Sequence, residues 1–237
     1  MIGFLLDLGR TIVDNKGYNF ENALTKVYEL TNKKIPFSDF SKKEKILHSY
    51  IFQMAQKTNT EVIIGQYLLT LINLCDLETS HTVEELEIAF FDELTKYEGV
   101  LSGAEDFLKY IKKHNAYVIA VSNSCISSNT LKRGLDKINI LKYFDEVISS
   151  NDILHRKPHK NMFLEAIKIA KVQGISIDNM YFVGNDYKCD ICGSFNVGLK
   201  SIWYNEAGKD DVNGYACFNA KNYSEVIMYL QNNVFKA

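Results

Sequence analysis

The stretch that most constrains the fold is Ile2–Leu6, apolar at every position, which breaks at Asp7 and continues as Leu8-Gly9-Arg10-Thr11. A short run with no polar face reads as a strand buried on both sides, the habit of parallel sheets covered by helices. Its C-terminal tip hands a carboxylate to the edge where open α/β sheets bind ligands. A single acid after a single strand fits a turn cap equally well, so Asp7 gains meaning only if other strands end in polar groups at the same edge.

The next stretch has no strand pattern at all. Phe20, Ala23, Leu24, Val27 and Leu30 recur at helical spacing, and Pro36 ends that segment. Ser41-Lys42-Lys43-Glu44 has the form of a capping box, opening a helix whose apolar face would be Ile46, Leu47, Tyr50, Ile51 and Met54. Val62–Cys75 predicts a third helix, and the box Thr82-Val83-Glu84-Glu85 starts a fourth that runs to about Tyr97. Residues 17–98 therefore read as an inserted all-helical domain, with Gly17 and Gly99 as hinges and a core made of 1–16 and 99–237. Tyr50, Phe52 and Tyr67 read as core aromatics of that insertion.

From Ser102 onward strands and helices alternate, as βαβ units require. Ser102 with Glu105 predicts a helix start. Strands are expected over 117–121, 146–148, 180–183 and 201–204, with a weak one over 216–218. Helices are expected over 129–140, 160–172, 190–197 and 224–233, with Gly198 as a left-handed stop. The fold class is α/β: a Rossmann-like three-layer core around a central parallel sheet, plus the helical insertion. Three strands now end in Asp7, in Ser122-Asn123 and in Asp186, while Arg156-Lys157-Pro158 precedes a helix. Two acids would face a fixed cation in one crevice.

Composition narrows the partner. Lys and Arg total 27 against 29 Asp and Glu, a net charge of -2, which offers no electrostatic footprint for nucleic acid or an anionic membrane. A small molecule is the expected partner. The first apolar run is too short for a secretory signal, and five scattered cysteines suit reduced thiols in a cytoplasmic protein. Cys189 and Cys192, although spaced C-x-x-C, read as small buried hydrophobes rather than a redox or zinc pair. Nothing in the sequence speaks to oligomeric state.

The four clusters, in this order, resemble the motifs of the haloacid dehalogenase (HAD) superfamily of hydrolases. The resemblance is to the branch with a helical cap after the first motif, as in phosphoglycolate phosphatase-like enzymes. It implies that Asp7 is a nucleophile forming an aspartyl phosphate, that Ser122 and Lys157 complete the catalytic set, and that Arg10, Thr11 and Asn123 meet the phosphorylated small-molecule substrate. It further implies Mg²⁺ held by Asp7, the Gly9 carbonyl, Asp186 and Asp190. Asn185 stands where many relatives carry the first acid of the fourth motif; the assignment to Asp186 rests on Asp186 and Asp190 sharing a helical face at i,i+4.

Gly9 departs from the family, where phosphatases carry a second aspartate that protonates the leaving group and activates water. Three alternatives follow. A haloacid dehalogenase would use Asp7 at carbon without metal. A phosphonatase would need a cap lysine, with Lys33, Lys34, Lys42, Lys43, Lys45 and Lys57 as candidates. A catalytically impaired phosphate-binding domain would keep the site without the acid.

Overall fold

The computed structural model describes residues 1–235. Along the chain, β1 (Gly3–Leu6) and the short β2 (Val13–Asp14) precede four helices, α1 (Phe20–Glu29), α2 (Phe37–Thr58), α3 (Ile64–Leu74) and α4 (Val83–Leu94). Then come β3 (Gly99–Val100), α5 (Ala104–Lys113), β4 (Tyr117–Ser122), α6 (Ser128–Lys137), β5 (Glu146–Ser149), α7 (Ser150–Ile153) and α8 (Lys160–Val172). The chain closes with β6 (Met180–Gly184), α9 (Gly193–Phe195), β7 (Lys200–Tyr204), β8 (Phe218–Ala220) and α10 (Tyr223–Asn233).

The main sheet has six strands in the order β5-β4-β1-β6-β7-β8, every neighbouring pair parallel. The strand read first from the sequence is thus central, and all four of its residues are buried. Its side chains alternate between two cores, as the pleat dictates. Phe4 and Leu6 join a cluster with Phe107 of α5 and Tyr223 of α10, whereas Leu5 joins Met162 and Phe163 of α8. That division is the three-layer architecture. The strand order also puts the C-terminal tips of β4, β1 and β6 side by side, which is where the expected site residues lie.

The helices α1–α4 occupy the chain between β2 and β3, which pair antiparallel as a two-residue ribbon, Val13 opposite Val100 and Asp14 opposite Gly99. α4 packs on both α1 and α3, and the apolar residues of these helices belong to the same cluster as one face of the sheet. The capping box at Thr82 forms, with Thr82 and Glu85 bonding reciprocally. The box at Ser41 does not. α2 begins five residues earlier, with Pro36 as its N-cap, because proline's fixed φ suits a helix start. Glu44 turns inward instead and accepts a hydrogen bond from Tyr67 Oη at 2.8 Å.

The apolar face of α2 differs too: Ile46, Tyr50 and Met54 are exposed, while Phe40, Leu47, Ile51 and Ala55 face the core. α5 starts after Gly103 in a left-handed conformation with no side-chain cap, so Ser102 and Glu105 play no part there. The last strand lies two residues later than predicted. Among the described residues, no helix is long and apolar enough to cross a membrane.

Candidate active site

Asp7 is the residue after β1, and its N–H extends the pairing with β6 by donating to Val183 O at 2.9 Å. Its carboxylate is nearly buried and held from two sides: Thr11 Oγ1 donates to Oδ2 at 2.7 Å, and Lys157 Nζ donates to Oδ1 at 2.7 Å. The loop that returns Thr11 to Asp7 winds tightly, with the N–H groups of Thr11, Ile12 and Val13 all donating to Leu8 O. Arg10 takes a left-handed φ of 60° at its turn. Tyr223 Oη of α10 bonds the Thr11 carbonyl from behind and ties the loop to the outer layer.

Lys157 is the electrostatic centre. Its ammonium is buried, donates also to Val121 O at 2.8 Å and lies 2.8 Å from Asp190 Oδ1. Burial opposes this charge, but the carboxylates of Asp190 and Asp7 outweigh burial and hold the lysine above its ordinary range. Asn123 clamps the lysine's own backbone, donating to its carbonyl at 3.0 Å and accepting from its N–H at 2.6 Å. The Asn123 side chain is thereby committed to positioning Lys157. Burial pushes the Asp190 carboxyl up while Lys157 pulls it back. Asp190 Oδ2 accepts from the Asp186 N–H at 2.9 Å, and Oδ1 is a buried oxygen whose close polar neighbour is the Lys157 ammonium. Gly184 makes this approach possible, since a Cβ there would lie 2.5 Å from Asp190 Oδ2.

In the fourth motif, the Asp190 N–H donates to Asp186 O at 2.8 Å, an i,i+4 bond, but Asp186 itself lies before the helical turn. Asp186 is an extended N-cap before a wide π-helical turn, Tyr187–Cys192, and its exposed carboxylate accepts from the Cys189 N–H at 2.7 Å. The Asn185 side chain points to the centre instead, its Oδ1 accepting from Thr11 Oγ1 at 3.3 Å. The sequence signal for this was Asn185's place directly after the strand-ending glycine.

These groups form the floor of a cavity of about 640 Å³. Ser122 lines it with no side-chain hydrogen bond to the described residues, and Gly9 lines it beside Asp7. Phe52 of α2, Phe91 of α4, and Leu131 and Leu135 of α6 line its walls. Tyr18 and Glu98 are polar wall residues without a motif to reveal them; Tyr18 Oη donates to Glu98, whose carboxyl is pushed up by burial. Two expected substrate contacts are placed elsewhere. Thr11 is fully buried behind Asp7, and Arg10 is exposed beside a separate cavity of about 350 Å³.

The sequence pattern of the haloacid dehalogenase-like hydrolases matches residues 4–204, which covers every element of this floor. The chain belongs to that family. Among its curated relatives, pyrimidine 5'-nucleotidase PynA of Streptococcus pneumoniae is 25% identical over 137 residues, 57% of this chain and 56% of the relative. Glyceraldehyde 3-phosphate phosphatase of Methanothermobacter thermautotrophicus is 30% identical over 104 residues, 42% and 44% of the two chains. The chain thus aligns with about half the length of these relatives.

Solved structures extend the likeness of fold over the whole chain. The HAD-hydrolase YfnB from Bacillus subtilis, bound to magnesium, has a TM-score of 0.63 at 17% identity over 97% of this chain and 98% of its own. A 2-haloacid dehalogenase from Pseudomonas syringae gives 0.65 at 16% identity over the same shares.

Within this HAD-like hydrolase, none of the helical-segment lysines considered for a Schiff base lines the cavity. Lys34 pairs with Glu78, Lys42 with Asp39, and Lys43 donates to Leu74 O. His155 and His159 stack on each other at 4.1 Å outside the cavity, and His159 caps α8. Cys189 and Cys192 are half-buried free thiols rather than fully buried ones. Burial pushes the Cys189 thiol up to about 12.

Proposed function

We propose that this chain is a Mg²⁺-dependent phosphatase of a small phosphorylated metabolite, acting through an aspartyl phosphate on Asp7. The observation that carries this reading is a nearly buried carboxylate fixed by Thr11 and Lys157 on the floor of a cavity large enough for a nucleoside-sized leaving group. Asp7 bonds to phosphorus as the ester oxygen departs, and water then cleaves the acyl phosphate to release inorganic phosphate. Lys157 offsets negative charge between Asp7 and the phosphoryl group, and Ser122 offers its hydroxyl to a phosphoryl oxygen.

Residues 17–98 act in this reading as a cap whose Phe52 and Phe91 meet the leaving group. The apolar walls favour a monoester with a bulky, weakly polar organic part, consistent with relatives named for pyrimidine nucleotides. A cytoplasmic setting suits the five free cysteines.

The donor set fits Mg²⁺. Beside the cavity the carboxylates of Asp7 and Asp190, the Asn185 amide oxygen and the Gly9 carbonyl are all hard oxygen donors of the kind that suit this cation. Among the described residues no group of three His, Cys, Asp or Glu side chains is arranged to hold a metal, so neutral oxygens and water would complete a set that has two carboxylates, as Mg²⁺ tolerates. Such an ion supplies charge compensation for a dianionic phosphate approaching a carboxylate.

A screen of nucleoside monophosphates, sugar phosphates and p-nitrophenyl phosphate tests the reading, with phosphate release measured with Mg²⁺ and after chelation. Turnover that is abolished by chelation and restored by Mg²⁺ is expected. Chloride release from a 2-haloacid, or borohydride trapping with phosphonoacetaldehyde, in a protein inert to every ester would replace the reading. Asn185→Ala should raise the Mg²⁺ needed for half-maximal rate by about tenfold, and Asp186→Ala by much less, since Asn185 bonds the Thr11 hydroxyl that holds Asp7 while the Asp186 carboxylate is exposed and bonded to the Cys189 N–H. The reverse order would return the metal to Asp186.

A further inference from the structure

A second ion pair sits one residue before Lys157. Glu61, in the connection between α2 and α3, has a fully enclosed side chain whose two carboxylate oxygens each accept from Arg156 Nη1 at 2.7 Å. Ser150 Oγ and the Val62 N–H also donate to it, so every donor around the carboxylate is matched. Beside it the backbones pair in both directions: the Glu61 N–H donates to Leu154 O at 3.2 Å, and the Arg156 N–H donates to Asn59 O at 2.9 Å. Thr60 and His155 form the antiparallel bridge between these bonds.

This edge lies where the catalytic loop is under strain. Leu154 has a left-handed φ of 63°, a conformation that a bulky L-residue keeps only when its surroundings impose it. Leu154 is the C-cap of α7, its N–H donating to Ser150 O at 2.8 Å, and its carbonyl is met by the Glu61 N–H of the inserted segment. Three residues further on, Lys157 is fixed at its backbone by Asn123 and at its ammonium by Asp7.

We infer that Glu61 is a positioning residue for Lys157: with the backbone of 59–61 it supplies the outer support of the loop that carries the site's cation. Core residues hold Lys157 at its ammonium and through Asn123, and the helical segment adds the support of the preceding residues 154–156. The kinetic consequence rests on the phosphatase reading above. The structural consequence does not.

Two measurements on the full chain separate these. In steady-state kinetics with p-nitrophenyl phosphate and Mg²⁺, Glu61→Gln should lower kcat about tenfold with KM changed by less than about twofold. In a Lys157→Arg background the same change should cost less than about twofold, because the position it protects is already altered. An equal loss in both backgrounds, or no loss in either, overturns the inference and leaves Glu61 a purely structural residue.

Amide hydrogen exchange supplies the arm that needs no activity. In Glu61→Gln and Glu61→Ala, amides of 154–157 should exchange about tenfold faster while those of β1 and β4 stay protected. Unchanged exchange at 154–157 refutes the inference, as does faster exchange spread evenly over the whole chain. A wild type inert to every phosphate ester defeats the phosphatase reading, and the exchange result still decides the role of Glu61.

Discussion

Asp7→Asn lowers the hydrolysis of phosphate esters by about 10⁴-fold or more, to the background of the assay, and leaves the protein folded. The two parts of this expectation have different physical origins. Rate falls because an amide oxygen is a far weaker nucleophile than a carboxylate. The fold survives because the asparagine oxygen can still accept from either Thr11 Oγ1 or Lys157 Nζ, which meet the two Asp7 oxygens at 2.7 Å each. Lys157 also keeps Asp190 at 2.8 Å, so its buried ammonium is not left uncompensated.

Thermal unfolding of the variant should therefore stay within a few degrees of wild type. A fluoroaluminate or beryllofluoride adduct should be lost with the carboxylate. Hydrolysis by Asp7→Asn at the wild-type rate would remove Asp7 as nucleophile and with it the covalent mechanism.

What the sequence made legible depended on whether the governing physics was local. β1 could be read because a strand with helices on both faces has no polar side to disguise it, and its neighbours β4 and β6 carry the same mark. The Thr82 box was legible because both partners sit within one turn. The Ser41 box has the same spelling and fails, because Pro36 offers an earlier start and packing draws Glu44 inward to Tyr67.

Within the site, Asp7, Lys157 and Asp190 announced themselves as polar ends of apolar or motif-bearing segments. The orientation of Asn185 against Asp186 did not. Asn185 turns toward Thr11 while Asp186 caps a π-helical turn, and such turns leave no periodic trace in a sequence. Tyr18, Glu98 and Glu61 were invisible for another reason: they matter only through partners 80 to 95 positions away.

Gly9→Asp raises steady-state turnover of an alkyl phosphate, by up to about 10²-fold, because it returns a proton donor and acceptor to the leaving-group side of Asp7. The geometry admits the change. Gly9 lines the cavity and its φ is not left-handed, and an added Cβ meets only the Asn15 amide nitrogen at 3.3 Å, the tip of a side chain that can yield by a few tenths of an ångström. In the wild type the first step should favour leaving groups that depart without a proton, so an aryl phosphate should outrun an alkyl one. The acyl phosphate must then await water with no base beside it, so aryl substrates should give a burst followed by slow turnover. Gly9→Asp should shrink that burst while raising the steady rate.

Arg10 serves as the control. It is exposed on a different cavity, so Arg10→Gly added to Gly9→Asp should leave the gain unchanged while relieving a left-handed φ of 60°. A wild type that already turns over alkyl phosphates without a burst and gains nothing from Gly9→Asp would mean that the proton comes from the substrate or from another cavity group. Glu98, a wall carboxyl pushed up by burial, would be the first residue to replace.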